Sequence, residues 1–154
     1  VEWSSLHRAT FQVHFKELDH NNRIRFLTGS VLPAQMYYKA QKVRALLRRQ
    51  VLDPLERVDV LVLPTGPVPA QPVESVPGVR SKEQAAAGLA GRISFIGPFN
   101  LAGLPALSVP CGFTSDNLPV GLQIVGRPFG EETVLKVGHA YEQSTPWHTK
   151  RPPV

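Results

Sequence analysis

The side chains able to perform nucleophilic chemistry are scattered along this chain. A serine that attacks a carbonyl needs a base to take its proton and donors to hold the oxyanion. No G-x-S-x-G elbow occurs, and the one serine pair, Ser4-Ser5, has no glycine around it. Cys111, the single thiol, stands between Pro110 and Gly112 and reads as a small buried hydrophobe at a strand end. The histidines His7, His14, His20, His139 and His148 offer no i, i+4 pair with a companion carboxylate, as a zinc-protease helix requires. One cysteine also excludes thiolate-rich sites, so no metal is expected. Gly88 and Gly91 fall late in a helix-like stretch and Gly121 lies within a strand, so no glycine cluster cradles a phosphate. Residue types alone therefore assign no catalytic residue, no metal ligand and no cofactor.

The elements that would position a site are easier to read. Residues 1–30 are mixed, with a strand or short helix around 10–15. Ser30 is a candidate cap and Pro33 suits a first helical turn. From 34 to about 52, Met36, Ala40, Val43, Leu47 and Val51 recur at three- and four-residue steps, which predicts an amphipathic helix ended by Pro54. The run 59–63 reads as a buried strand of a parallel or mixed sheet, and helix followed by strand implies α/β layering. Residues 64–80, with Pro64, Pro67, Pro69, Pro72 and Pro77, form an irregular loop of a length that is functional, mobile or a linker. A short helix capped by Ser81 fits 81–92. Residues 106–109 read as a strand stopped by Pro110 and Gly112, and 115–119 as a polar turn. A second strand over 120–125 completes a hairpin. A final helix spans 131–143, with Val134, Leu135, Gly138 and Tyr141 on one face, before a loose end at Pro152 and Pro153.

With 154 residues, 42% apolar and 19% charged, the composition is that of a globular domain or a large piece of one. No apolar run approaches the ~20 residues that span a bilayer. One cysteine suits a reducing cytoplasm. The net charge of +5 concentrates in Lys39, Lys42, Arg44, Arg48 and Arg49. These read as the solvated face of a helix, because no aromatic stacking platform accompanies them, and a nucleic-acid partner is not expected.

Three segments together resemble the C-terminal region of the amidase signature family. The first is Tyr37-x-x-Ala40-x-x-x-Arg44 on a helix leading into Asp59-Val-Leu-Val-Leu-Pro64-Thr65. The second is Asn100-Leu-Ala-Gly-Leu-Pro105-Ala-Leu-Ser-Val-Pro110-Cys-Gly-Phe113. The third is Leu118-Pro-Val-Gly-Leu-Gln-Ile-Val-Gly-Arg-Pro-Phe129, followed by Glu131 and Glu132. The resemblance covers about residues 23 to 148, roughly the last third of a typical member. It implies an α/β fold, a mixed β-sheet flanked by helices, with 1–154 as one C-terminal segment.

Family members cut carboxamides to carboxylate and ammonia with a Ser, cis-Ser, Lys triad. That triad sits in a Gly/Ser-rich signature and an upstream lysine, both N-terminal to the region represented here. No such string occurs in these residues, so no serine or lysine inherits a catalytic role and the chain alone is expected to be inactive. The resemblance implies that the segment supplies one wall of a substrate pocket through Arg25, Ile93, Phe95 and Phe99. The small-molecule amide would be bound only together with the N-terminal part, without cofactor, metal or membrane.

The A subunit of the glutamine-dependent tRNA amidotransferase is the alternative branch of the family. Arg25 before Gly29 matches an arginine that grips the glutamine carboxylate there, and a structural salt bridge is the other reading of Arg25. That branch places an acidic residue where this chain has Ile93, beside Arg92. An isoleucine cannot neutralise an ammonium, and this departure favours a general amidase. A third reading is a non-catalytic remnant that self-associates as a homodimer through an uncovered sheet face.

Overall fold

The computed structural model describes residues 1–72 and 95–151. The helix expected at 81–92, the second half of the proline-rich loop, Pro152 and Pro153 lie outside the described residues. Those described fall into two units, Val1–Val43 and, from Arg44 on, the remainder.

The first unit contains α1 (Glu2–Leu6), α2 (Arg8–His14), a 3-10 turn at Phe15–Glu17, α3 (His20–Val31) and the start of α4 (Ala34–Leu55). Helices as short as α1 and α2 do not persist by backbone bonding alone, so side-chain packing must hold them. Aromatic rings supply it: Phe11 meets Trp3 edge-on at 4.6 Å and lies tilted against Phe26 at 4.1 Å, centroid to centroid. Buried Ser4 donates its hydroxyl to the Phe26 carbonyl at 3.1 Å. Tyr37 on α4 donates to Glu2 Oε1 at 2.6 Å. Asp19 caps α3, its Oδ1 accepting the N–H groups of Asn21 and Asn22 at 3.0 and 3.1 Å. Ser30, by contrast, is no cap. It lies inside α3 and donates back to the Phe26 carbonyl at 2.8 Å, and the Pro33 carbonyl receives the first N–H groups of α4 instead.

Helix α4 exists as expected, with two corrections. Pro54 sits inside its last turn, where a missing N–H costs a single helical bond, and the chain leaves through Glu56 N–H to Asp53 O at 3.2 Å. Met36, Ala40 and Val43 are exposed, whereas Leu47 and Val51 are half-buried and Leu55 is fully buried. Periodicity says which side of a helix is apolar. It does not say how far along its length something covers that side.

The second unit is layered around a three-stranded sheet of β1 (Val60–Pro64), β2 (Ala106–Phe113) and β3 (Pro119–Gly126), in the order β1-β3-β2. Successive residues of a strand face opposite sides. Val125, with Leu61 and Leu63, meets Leu55, Phe99, Ala102 and Leu104 on one side. Ile124, with Val109, Leu107 and Leu122, meets Val134, Val137 and Tyr141 on the other. The first cluster is closed by α5 (Gly97–Ala102) and the second by α6 (Glu131–Ser144). The α/β fold with helices flanking the sheet is therefore as expected. Both strand pairs are antiparallel, not parallel or mixed, because an apolar run such as Val60–Leu63 reports cover on both faces and not strand direction.

Strand β2 also runs on through Pro110 and Gly112. Among the described residues it is an edge strand, where proline is tolerated, and a bulge at Cys111 with Gly112 at φ 147° absorbs the irregularity. Cys111 is half-buried there, not sealed in a core. The hairpin turn closes through Thr114 N–H to Leu118 O at 2.9 Å. On α6, Gly138 lets the helix lie close to β2, since an added Cβ would meet the end of the Leu107 side chain, which would have to shift. Leu135, expected on the buried face, points to water at 59% exposure, and Val137 packs in its stead.

Candidate substrate wall

Where β1 ends, the sheet brings polar groups together on a bare backbone. Thr65 N–H donates to the Gly121 carbonyl at 2.8 Å, which carries the β1 pairing one step past Pro64. The Thr65 and Ser108 hydroxyls then meet at 2.6 Å across β3. Gly121 makes this possible, since a Cβ there would lie 2.7 Å from Thr65 Oγ1 and 2.9 Å from Ser108 Oγ. From this pair the chain continues as Gly66–Ala70 and, with Pro119 and Val120, encloses a groove of about 430 Å³. The groove is wide enough for a small ligand and offers apolar walls with few polar groups, the usual make-up of a small-molecule site.

Gln123, on the same strand, is buried at 3% exposure, and its Nε2 donates to the Phe95 carbonyl at 3.1 Å. That bond fixes the segment entering α5. The far end of α5 is held by α4: Arg44 Nε donates to the Leu101 carbonyl at 2.6 Å, and Arg48 Nη1 donates to the Ala102 carbonyl. Two residues of the basic cluster thus satisfy the orphan carbonyls of a helix end, where cations are also favoured by the dipole.

The expected wall residues have separate placements. Phe95 is half-buried beside Gln123, and Phe99 is buried in the core cluster with Leu55 and Val125. Ile93 lies outside the described residues. Arg25 belongs to the first unit, where it is exposed and lines a shallow hollow with Val1, Trp3, Ser4 and Asn22. It makes no salt bridge among the described residues. Thr65, Ser108, Gly121 and Gln123 were missed by sequence reading. Gly121 carried the signal, because a lone glycine inside a strand pattern marks close approach of another group. No set of three His, Cys, Asp or Glu side chains converges among the described residues.

Comparison with known proteins decides the lineage of this arrangement. The family model described as Amidase matches residues 2–135. The chain belongs to the amidase family. The A subunit of the glutamyl-tRNA(Gln) amidotransferase from Synechococcus sp. (strain JA-2-3B'a(2-13)) is 51% identical over 118 residues, covering 77% of this chain and 22% of that protein. Its counterpart from Roseiflexus sp. (strain RS-1) is 48% identical over 158 residues, covering 94% of this chain and 31% of that one. Among solved structures, an amidase superposes with a TM-score of 0.71 at 28% identity, over 92% of this chain and 32% of its own. The corresponding amidotransferase A subunit from Thermotoga maritima gives 0.57 at 30% identity, over 90% and 30%. The chain therefore spans under a third of the length of these amidase relatives. Within the described residues, no helix is long and apolar enough to cross a membrane.

Proposed function

We propose that residues 1–154 form one C-terminal segment of an amide hydrolase, and that the longer protein cleaves carboxamides to carboxylate and ammonia. The observation that carries this reading is the family match across 2–135, joined to 51% identity with a relative over 118 residues. In that reaction a serine outside these residues takes the acyl group, ammonia leaves, and water releases the carboxylate. This segment's contribution is shape. Gln123 holds the Phe95 backbone, Phe99 stiffens α5 behind it, and the Thr65–Ser108 pair offers hydroxyls at the rim of an apolar groove. Arg25, without a salt-bridge partner among the described residues, presents a guanidinium suited to a carboxylate, and Ile93 adds an apolar contact. The one cysteine accords with a cytoplasmic setting. The experiment is an ammonia-release assay with simple carboxamides. The longer protein should turn over and the 154-residue chain should not; turnover by the short chain that survives repurification sinks the reading.

A second reading, a glutamine-using amidotransferase component, draws on the identity of 44% to 51% to proteins of that name. A component of that kind would work within a larger assembly of protein chains. Glutamine and a neutral amide, compared as substrates of the longer protein, separate the two. Ile93 predicts a preference for the neutral amide, because nothing at that position offsets the glutamine ammonium.

A further inference from the structure

The loop between β3 and α6, residues 127–130, holds a phenyl ring out in water on a backbone conformation that disfavours it. Phe129 is 96% exposed, and its φ of 61° lies in the left-handed region that bulky residues avoid. Neither feature is accidental slack, because the loop is fastened on both sides. Arg127 donates through Nε to the Leu55 carbonyl at 2.8 Å and through Nη2 to the Val58 carbonyl at 3.1 Å, and it pairs with Asp59 at 3.6 Å. Gly130 N–H closes a turn onto the Arg127 carbonyl at 2.9 Å, so tightly that a Cβ at Gly130 would lie 2.9 Å from the same oxygen. The Gly130 carbonyl in turn accepts from Val134 N–H in the first turn of α6 at 3.1 Å.

Backbone strain persists where its surroundings over-determine it, and such places are often where a protein meets a ligand or partner. An aromatic ring displayed from a fixed loop is the form that binding hot spots take, since the backbone is already ordered and only two side-chain torsions remain to be fixed on docking. We propose that Phe129 is an anchor that inserts into an apolar pocket of the rest of the amidase domain. The choice of occupant rests on the proposed function above and on two observations. The chain covers 22% to 34% of its relatives, so most of the domain to which it belongs lies elsewhere. The guanidinium nearest in sequence, Arg127, is already committed to two carbonyls and Asp59. That cation is therefore not free to hold a phosphate beside the ring, and a protein pocket fits better than a stacked nucleic-acid base.

The test uses the longer protein. In a Phe129→Cys variant, thiol modification at position 129 is followed by peptide mass mapping, in native buffer and in denaturant. The expected result is modification at least a hundredfold slower in native buffer. Alongside it, Phe129→Ala should lower Tm by roughly 5 °C while Phe129→Tyr, which keeps the ring, holds most of the wild-type value. Equal labelling rates in both conditions, with an unchanged Tm for Phe129→Ala, overturn the anchor. Protection that scales with protein concentration reveals a second copy as occupant, and protection that appears only with added RNA reveals a nucleic acid; either overturns it too. Ammonia release measured on the same preparation keeps the two proposals apart. An active enzyme with an open position 129 refutes the anchor alone, and an inactive protein with a protected position 129 refutes the hydrolase alone.

Discussion

The two units bury apolar surface in different materials. In the first, short helices lean on the rings of Trp3, Phe11 and Phe26, and Phe11 keeps 5% exposure. In the second, a sheet lies between two aliphatic clusters, and Leu55, Ile124 and Val125 are at or below 1%. Rings are few and large, so one ring carries much of a small core. Aliphatic chains in layers share the same work among many contacts. The lesson is that the first unit should fail at a single position and the second by increments.

Phe11→Ala gives the largest expected effect, a loss of about 4 kcal/mol within the first unit. Hydrogen exchange should show amides of α1 to α3 opening while β1 to β3 keep their protection; uniform loss across both units would break the comparison. Leu55→Ala comes next, at about 3 kcal/mol in the second unit, read from the urea midpoint. Gln123→Leu should cost about 1 kcal/mol, because the Phe95 carbonyl loses its donor while an apolar chain of similar size fills the space. Its sharper readout is faster exchange at the start of α5.

The smallest effect is at Asp19. The backbone N–H of Asn22 holds its carboxyl below the ordinary value of 3.8, against a lesser opposing push from burial. The folded state therefore favours the carboxylate. Its contribution is whole above the unfolded value and is lost as pH falls through the lower folded one. Asp19→Asn should lower the Tm of the first unit slightly at pH 7 and erase the difference from wild type at the acid end, as followed by circular dichroism.

Much of the second unit was legible in its residues, for a physical reason. The strand of 120–125 declares itself by Val120, Ile124 and Val125 and that of 106–109 by a short, mostly apolar stretch closed by Pro110 and Gly112, with the polar Ser115–Pro119 turn between them. What failed there was contextual: Pro110 looks like a stop until β2 is known to be an edge, and Leu135 looks buried until the rotation of α6 against Leu107 and Val109 is known. The first unit was opaque because rings spaced 8 and 15 residues apart, Trp3 to Phe11 and Phe11 to Phe26, make no periodic pattern. Phe95 and Phe99 entered the candidate wall through resemblance alone. The Thr65–Ser108 contact joins residues 43 apart in sequence, and only Gly121 hinted at it.

Pro110 has one more effect, on the company the sheet can keep. Having no N–H, it interrupts the row of donors that an incoming strand would need along the outer rim of β2, and the bulge at Cys111 twists that rim out of register. Templated growth of the described sheet from that side, whether by another protein or by a misfolded neighbour, is disfavoured at that point.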